Sequence, residues 1–291
     1  MNNFEDVGHF SEGKERKDLV RKNAEKIEKF KKNAEKKFQM GHYNWIDSPL
    51  DERDEFNSMT FRESFEKLLP KDEKSLKHYI EQTLKDKKGK AVGVEFGGIG
   101  VKFFNGFSKG FFKKTVGVSL VDHRDIFGIQ GTYVKTEKGF KNLYEINKTP
   151  NHEVLEGDIF SPECYKSLEE KLKGDKINLI IERMASGLEF VPEDPYMVSR
   201  VLQIWYKLLD EEGLMLVQVP IIFDELLKKW AYLFAKEYKS VFEFNYDATD
   251  SKILGASVFS LHKLKGAPEE LPFLDPRTVK KTRKNSLLPF K

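Results

Sequence analysis

The chain is poor in cysteine, with Cys164 alone among 291 residues. An internal disulfide is therefore excluded, as is a zinc site built from several thiolates. Long apolar runs are also missing, since none approaches the roughly 20 residues that a membrane-crossing helix needs. The start, Met1-Asn2-Asn3-Phe4-Glu5-Asp6, has no basic stretch leading into an apolar one, so no secretory signal is expected. The chain reads as soluble and cytoplasmic, without a membrane partner. Net charge is small, at +3. It is unevenly spread: residues 1–40 carry +3, residues 262–291 carry +5, and the centre is left mildly acidic. Basic ends of this kind either solubilise a chain or make weak contacts with nucleic acid or an acidic partner.

What is present points to a folded protein. Apolar residues make up 39% of the chain and 24 of them are Phe, enough for a sizeable core. Three regions follow from the patterning: a helical N-terminal extension over 1–89, a regular domain over 90–264 and a basic tail over 265–291. In the first, Ser11 to Lys37 is dense in Glu and Lys with a thin apolar stripe. Opposite charges four residues apart, as in Glu25–Lys29 and Glu28–Lys32, suit a solvated helix. Thr60 and Glu63 are spaced as a capping box, and Lys74–Lys87 shows helical periodicity through Leu76, Tyr79, Ile80 and Leu84. Tyr43, Trp45, Phe56 and Phe61 would cover a pocket if this extension acts as a lid, or pack as a plain extension.

The central region reads as alternating strands and helices. Strands are expected at Ala91–Phe96, Thr115–Val121, Glu153–Leu155, Ile177–Ile181 and Leu214–Val219. Asp194–Leu209 is an amphipathic helix that Glu211-Glu212-Gly213 should end, and Phe223–Lys239 is another. Val241–Tyr246 and Ile253–Leu264 follow with only a turn between them, as an antiparallel hairpin would. The alternation predicts an α/β fold with a mainly parallel sheet covered on both faces.

Three acidic residues stand at three successive strand ends. The first strand closes as Val94-Glu95-Phe96-Gly97-Gly98-Ile99-Gly100, a carboxylate followed by a glycine turn that lets a ligand approach the backbone. The second closes on Val121-Asp122-His123, where a carboxylate can accept two bonds from a ribose diol. The third runs into Gly157-Asp158-Ile159, where Asp158 can accept from an adenine amino group.

This arrangement resembles the class I, Rossmann-like S-adenosylmethionine-dependent methyltransferases over about Lys90–Leu264. The resemblance implies a seven-stranded sheet with its last strand antiparallel, S-adenosylmethionine as cofactor, and a methyl acceptor of unidentified class. It places Glu95, Gly97, Gly98 and Gly100 at the methionine part of the cofactor, Asp122 at the ribose, and Asp158 with Ile159 at the adenine. Glu182 and Arg183 follow the fourth strand, where the family places residues facing the transferred methyl group. Glu182 would orient the substrate or act as a base, Arg183 would clamp an anionic substrate or pair with Glu182, and His123 would be a base or line the cofactor's edge. No metal is implied.

The sequence departs from the family in two places. Ile99 and Val101 occupy the second and third glycine positions of the usual turn, with Gly98 and Gly100 displaced by one. The stretch from Asp122 to Glu153 carries Gly128, Gly131, Gly139 and Pro150 where a helix is usual, so a distorted helix or a loop is expected.

Rival readings fit less well. A dinucleotide turn would want Gly-x-Gly-x-x-Gly, but Phe103 stands at its last position, and a phosphate loop would want Gly-Lys-Ser/Thr, which is absent. Glu182-Arg183-Met184-Ala185 is not the Asp/Asn-Pro-Pro-Tyr/Phe of enzymes that methylate amino groups of DNA bases, and Cys164 is misplaced for a cytosine-attacking nucleophile. It reads instead as a small packed residue. Two alternatives to an enzyme stay open: a non-catalytic protein that keeps the cofactor site, and a nucleic-acid-associated module whose Arg277–Lys284 holds five basic residues among eight.

Overall fold

In a computed structural model, residues 75–98, 100–119, 133–136, 139–142, 150–182, 195–220, 223–247 and 256–272 are described, with Arg21, Glu25, Phe65, Leu68 and Leu69. The N-terminal aromatic cover, the Thr60–Glu63 box, Ile99 and the basic tail beyond residue 272 lie outside the described residues. Arg21 and Glu25 are helical and exposed, and form an ion pair one helical turn apart at 3.9 Å.

Helix α1 (Leu76–Thr83) opens on Ser75, whose hydroxyl accepts from the His78 N–H. Strand β1 (Ala91–Phe96) is buried along its whole length, as a central parallel strand must be. The five-residue helix α2 (Val101–Asn105) follows, then β2 (Phe112–Ser119). Next come a small hairpin, β3 (Tyr133–Thr136) and β4 (Gly139–Asn142), and then β5 (His152–Glu156). Among the described residues no helix lies between β2 and β5; most of residues 120–149, where the sequence leads one to expect a distorted helix or a loop, lie outside them.

Helix α3 (Pro162–Leu172), β6 (Ile177–Glu182), α4 (Pro195–Leu208), β7 (Leu209–Pro220), α5 (Asp224–Glu237), β8 (Phe242–Asp247) and β9 (Ala256–Lys263) complete the described chain. The main sheet has the order β5-β2-β1-β6-β7-β9-β8. Every neighbouring pair is parallel except those made by β9, which runs against both β7 and β8. This is the seven-stranded sheet expected, with its last strand reversed.

One boundary differs from expectation. Glu211-Glu212-Gly213 does not end a helix but lies inside β7, which begins directly after α4. The register explains why: Ile177 and Leu179 of β6 stand opposite Leu209 and Leu214 of β7, so the intervening residues bulge. Glu212 takes φ 58° within that bulge.

The two faces carry separate cores. Phe96, Val116, Ile180, Val217 and Phe259 point towards α3, α4 and α5. Leu179, Ile181, Leu214 and Leu216 point the other way, beneath α1, α2, Phe65 and Leu68. At the amino edge, Lys87 Nζ and Asn178 Nδ2 both donate to Asp210 Oδ2 at 3.0 Å, while Asn178 Oδ1 accepts from the Val92 N–H at 2.9 Å. This partly buried network fixes the starts of β1, β6 and β7 against one another.

Candidate functional site

The strand order itself locates a crevice. From β1 the chain builds outward through β2 to β5 on one side, and through β6 to β7 on the other. In open parallel sheets, ligands bind beyond the carboxyl ends of the strands at such a reversal. Gly97, Gly98 and Gly100 follow β1 at this point. Gly97 has φ 85° and Gly100 φ 77°, both in the left-handed region that favours glycine. The Gly97 N–H donates to Val118 O at 2.9 Å, tying the turn to β2. Gly100 begins α2, and a Cβ there would lie 2.9 Å from His152 Cε1, so the position is closed to side chains twice over.

Glu95 is fully buried. It pairs in register with Gly117 of β2 and Ile181 of β6. The alternation of β1 puts its side chain on the α1–α2 face, with Gly93. Glu182 is also fully buried but lies abreast of Phe96, on the α3–α5 face. The two carboxylates thus lie near the carboxyl ends of β1 and β6 on opposite faces of the sheet, a separation that periodicity alone does not reveal.

The third acidic position sits two strands away. The Gly157 N–H donates to Ser119 O at 2.8 Å, continuing the β2–β5 ladder for one more bond. Asp158 then turns the chain: its Oδ1 accepts from the Phe160 N–H at 2.9 Å, and its carbonyl from the Ser161 N–H at 2.8 Å. Ser161 caps α3, accepting from the Glu163 N–H. Asp158 is half-buried, whereas the Ile159 side chain is buried in the α3–α5 core. What Ile159 can offer a ligand at this turn is therefore its backbone. Asp122, His123 and Arg183 lie outside the described residues.

Cys164 packs directly under this turn, so close that a Cβ on Gly157 would come within 2.7 Å of its sulfur. Burial, aided by the neighbouring Asp158 charge, pushes its thiol up to about 12. At pH 8 the thiolate fraction is then about one in ten thousand. A thiol-specific disulfide reagent is expected to leave the native protein unmodified while reacting at once after unfolding in urea. Fast stoichiometric reaction of the folded protein would show that Cys164 is neither buried nor packed.

A cavity of about 460 Å³ lies elsewhere, at the amino edge, lined by Lys176, Lys207, Lys263, Asp210, Glu211 and neighbours. Its charges largely answer one another: Lys207 meets Glu270 at 2.9 Å, and Lys263 lies 4.3 Å over the Tyr206 ring. It is not part of the crevice. Among the described residues, no group of three or more His, Cys, Asp or Glu side chains is arranged to hold a metal ion, and no helix is long and apolar enough to cross a membrane.

The sheet has the class I methyltransferase topology. No protein-family model matches the chain, and no curated protein matches it in sequence. Solved structures do. An rRNA methylase from Streptococcus thermophilus is similar at 13% identity over 65% of this chain and 96% of its own, with a TM-score of 0.39. The N-methyltransferase NodS from Bradyrhizobium japonicum, in complex with S-adenosyl-L-homocysteine, shares 13% identity over 74% and 96%, with a TM-score of 0.35. A precorrin-6y C5,15-methyltransferase from Geobacter metallireducens shares 13% over 76% and 98%, with a TM-score of 0.36. The strand order and register, rather than these distant likenesses, carry the assignment of the fold.

Sequence reasoning found the glycine turn, Glu95 and the Asp158 turn. It missed the packing of Cys164 against Gly157, which seats the third turn, and that of Phe104 against Gly93. Neither leaves a sequence signal, because each glycine answers a neighbour distant along the chain.

Proposed function

We propose that this protein is an S-adenosylmethionine-dependent methyltransferase whose acceptor is not identified. One observation carries the reading: at the strand-order reversal, a glycine turn in left-handed backbone follows a buried carboxylate, and a second acidic turn closes β5 two strands away. The donor set suits the ligand. Glu95 and the Gly97–Gly100 turn would hold the methionine end, where a carboxylate favours a cationic ammonium and sulfonium. Asp158 and the backbone of Ile159 would meet the adenine, and Asp122 the ribose.

The bound cofactor supplies a methyl group on a positively charged sulfur, already a good leaving group. The protein's task is then to align the acceptor, keep water out and, where needed, take a proton. Glu182 lies near the carboxyl end of β6, on the sheet face opposite Glu95, and is our candidate for orienting the acceptor or accepting its proton, with His123 and Arg183 as further candidates. A cytoplasmic location belongs to the same reading.

Isothermal titration of the full chain with S-adenosylmethionine and S-adenosylhomocysteine tests it. Saturable binding of both is expected, weakened at least about tenfold in Glu95→Ala, the scale of losing one hydrogen bond to a charged group. Absence of binding at millimolar ligand would sink the assignment. Radiolabelled methyl transfer into lysate fractions then separates an enzyme from a protein that only binds the cofactor.

A further inference from the structure

Beneath the Asp158 turn lies a buried set of contacts that the chemistry above does not use. Tyr165, in α3, donates its hydroxyl to Ile159 O at 2.8 Å. Trp205, in α4, donates its indole N–H to that same hydroxyl oxygen at 3.1 Å. The Trp205 ring stacks on Phe96, with centroids 4.5 Å apart and planes 15° from parallel. Phe96 is also a ring neighbour of Tyr165, at 6.5 Å. All three side chains are at most 1% exposed.

The chemistry of the set is directional. A phenol inside an apolar core is costly unless its hydrogen-bonding capacity is met. Here the proton goes to one carbonyl and the oxygen accepts one indole, so the ring has a single satisfied orientation. Burial drives the Tyr165 hydroxyl well above its ordinary range, so it stays a donor at every working pH. The two ends of the set are the two turns assigned to the cofactor. Phe96 is the residue before Gly97, and Ile159 follows Asp158. A displaced Ile159 carbonyl would tilt the peptide that joins it to the short Asp158 turn, and with it the groups facing an adenine edge.

We propose that Tyr165, oriented by Trp205, is a positioning residue that sets the Asp158–Ile159 turn for discrimination of the adenine base. This rests on the adenosyl site proposed above. A residue that only fills the core would affect all ligands alike, whereas a residue that aims the turn governs the difference between ligands that differ only at the base edge.

The test uses the full chain and two probes, S-adenosylhomocysteine and S-inosylhomocysteine, in which a keto oxygen replaces the adenine amino group. The wild type is expected to prefer the adenine form by about tenfold or more, the scale of a hydrogen bond to a charged acceptor. Tyr165→Phe removes one hydroxyl and should reduce that preference at least threefold. Trp205→Phe, which keeps a stacking ring on Phe96, should reduce it in the same direction and serves if Tyr165→Phe does not fold. Tyr206→Phe is the control, because Tyr206 is equally buried but hydrogen-bonds Pro268 O instead, and should leave the preference intact. A preference unchanged in both Tyr165→Phe and Trp205→Phe, or lowered equally by Tyr206→Phe, overturns the proposal while the adenosyl site stands. A wild type that binds neither probe, or binds both equally, overturns the adenine reading of Asp158 and this proposal with it.

Discussion

Gly93→Ala is expected to lower the melting temperature by up to about 10 °C, although it adds a single methyl group to a β-strand. Gly93 lies at the centre of β1, on the face covered by α2. A Cβ there would fall inside contact distance of Phe104 Cε1, 2.9 Å from Cζ and 3.1 Å from Phe112 Cε1. Neither ring can simply turn away. Phe104 is 1% exposed and meets Phe103 and Phe112 edge-on, each with centroids at 5.2 Å. Phe107 and Phe111 extend the same cluster. Overpacking of this kind costs about 1–3 kcal/mol. Because α2 begins at Gly100, pushing Phe104 outward would also move the glycine turn. The check is thermal unfolding of Gly93→Ala and of Gly93→Ala/Phe104→Leu, where the smaller side chain should recover part of the loss. An unchanged melting temperature in the single variant would show that α2 does not press on β1 as described.

Trp230→Ala should be more damaging still, by about 3–5 kcal/mol. Trp230 is fully buried on α5 and stacks near Phe234, with centroids at 5.9 Å. It meets Phe244 of β8 and Phe259 of β9 edge-on, at 6.0 and 5.8 Å. It therefore joins α5 to the closing β8–β9 pair, whose β9 is the strand that runs against the parallel ones. Strand β8 is an edge strand paired only with β9, so its order depends on what packs on its face. The urea midpoint of the variant should fall, and loss of hydrogen-exchange protection should concentrate in β8 and β9. Protection lost evenly across all strands, or a midpoint equal to the wild type, would contradict this role.

The legible elements were those with strong local patterns. β1 is a short, mainly apolar run between a Lys-Gly and a Gly-Gly step, and its limits Ala91–Phe96 follow from the sequence. α4 shows Val198, Val201, Leu202, Trp205 and Leu208 at helical spacing, and β8 and β9 fall on two β-rich stretches with a turn-rich sequence between them. α3 was missed although its signals were present: Ser161 as cap, Pro162 in the first turn, Glu163 beside it, and Cys164, Leu168 and Leu172 at four-residue spacing. α2 was missed because five residues are too few to show a period. The early start of β7 was hidden because Glu211-Glu212-Gly213 has the composition of a helix stop and the geometry of a bulge.

The site divides in the same way. Glu95, the glycines and Asp158 could be read from the sequence because each sits at the junction of an apolar run and a turn, a local feature. Their neighbourhood could not. Strand order, which sets β5, β2 and β1 side by side and opens a crevice between β1 and β6, follows from crossover connections whose direction no local pattern encodes. Only tertiary structure decided that Glu95 and Glu182 face opposite sides of the sheet, that Gly93 and Gly157 yield to Phe104 and Cys164, and that Tyr165 and Trp205 brace the Asp158 turn. Each depends on contacts between residues far apart in the chain, whose energies arise only once the layers have packed.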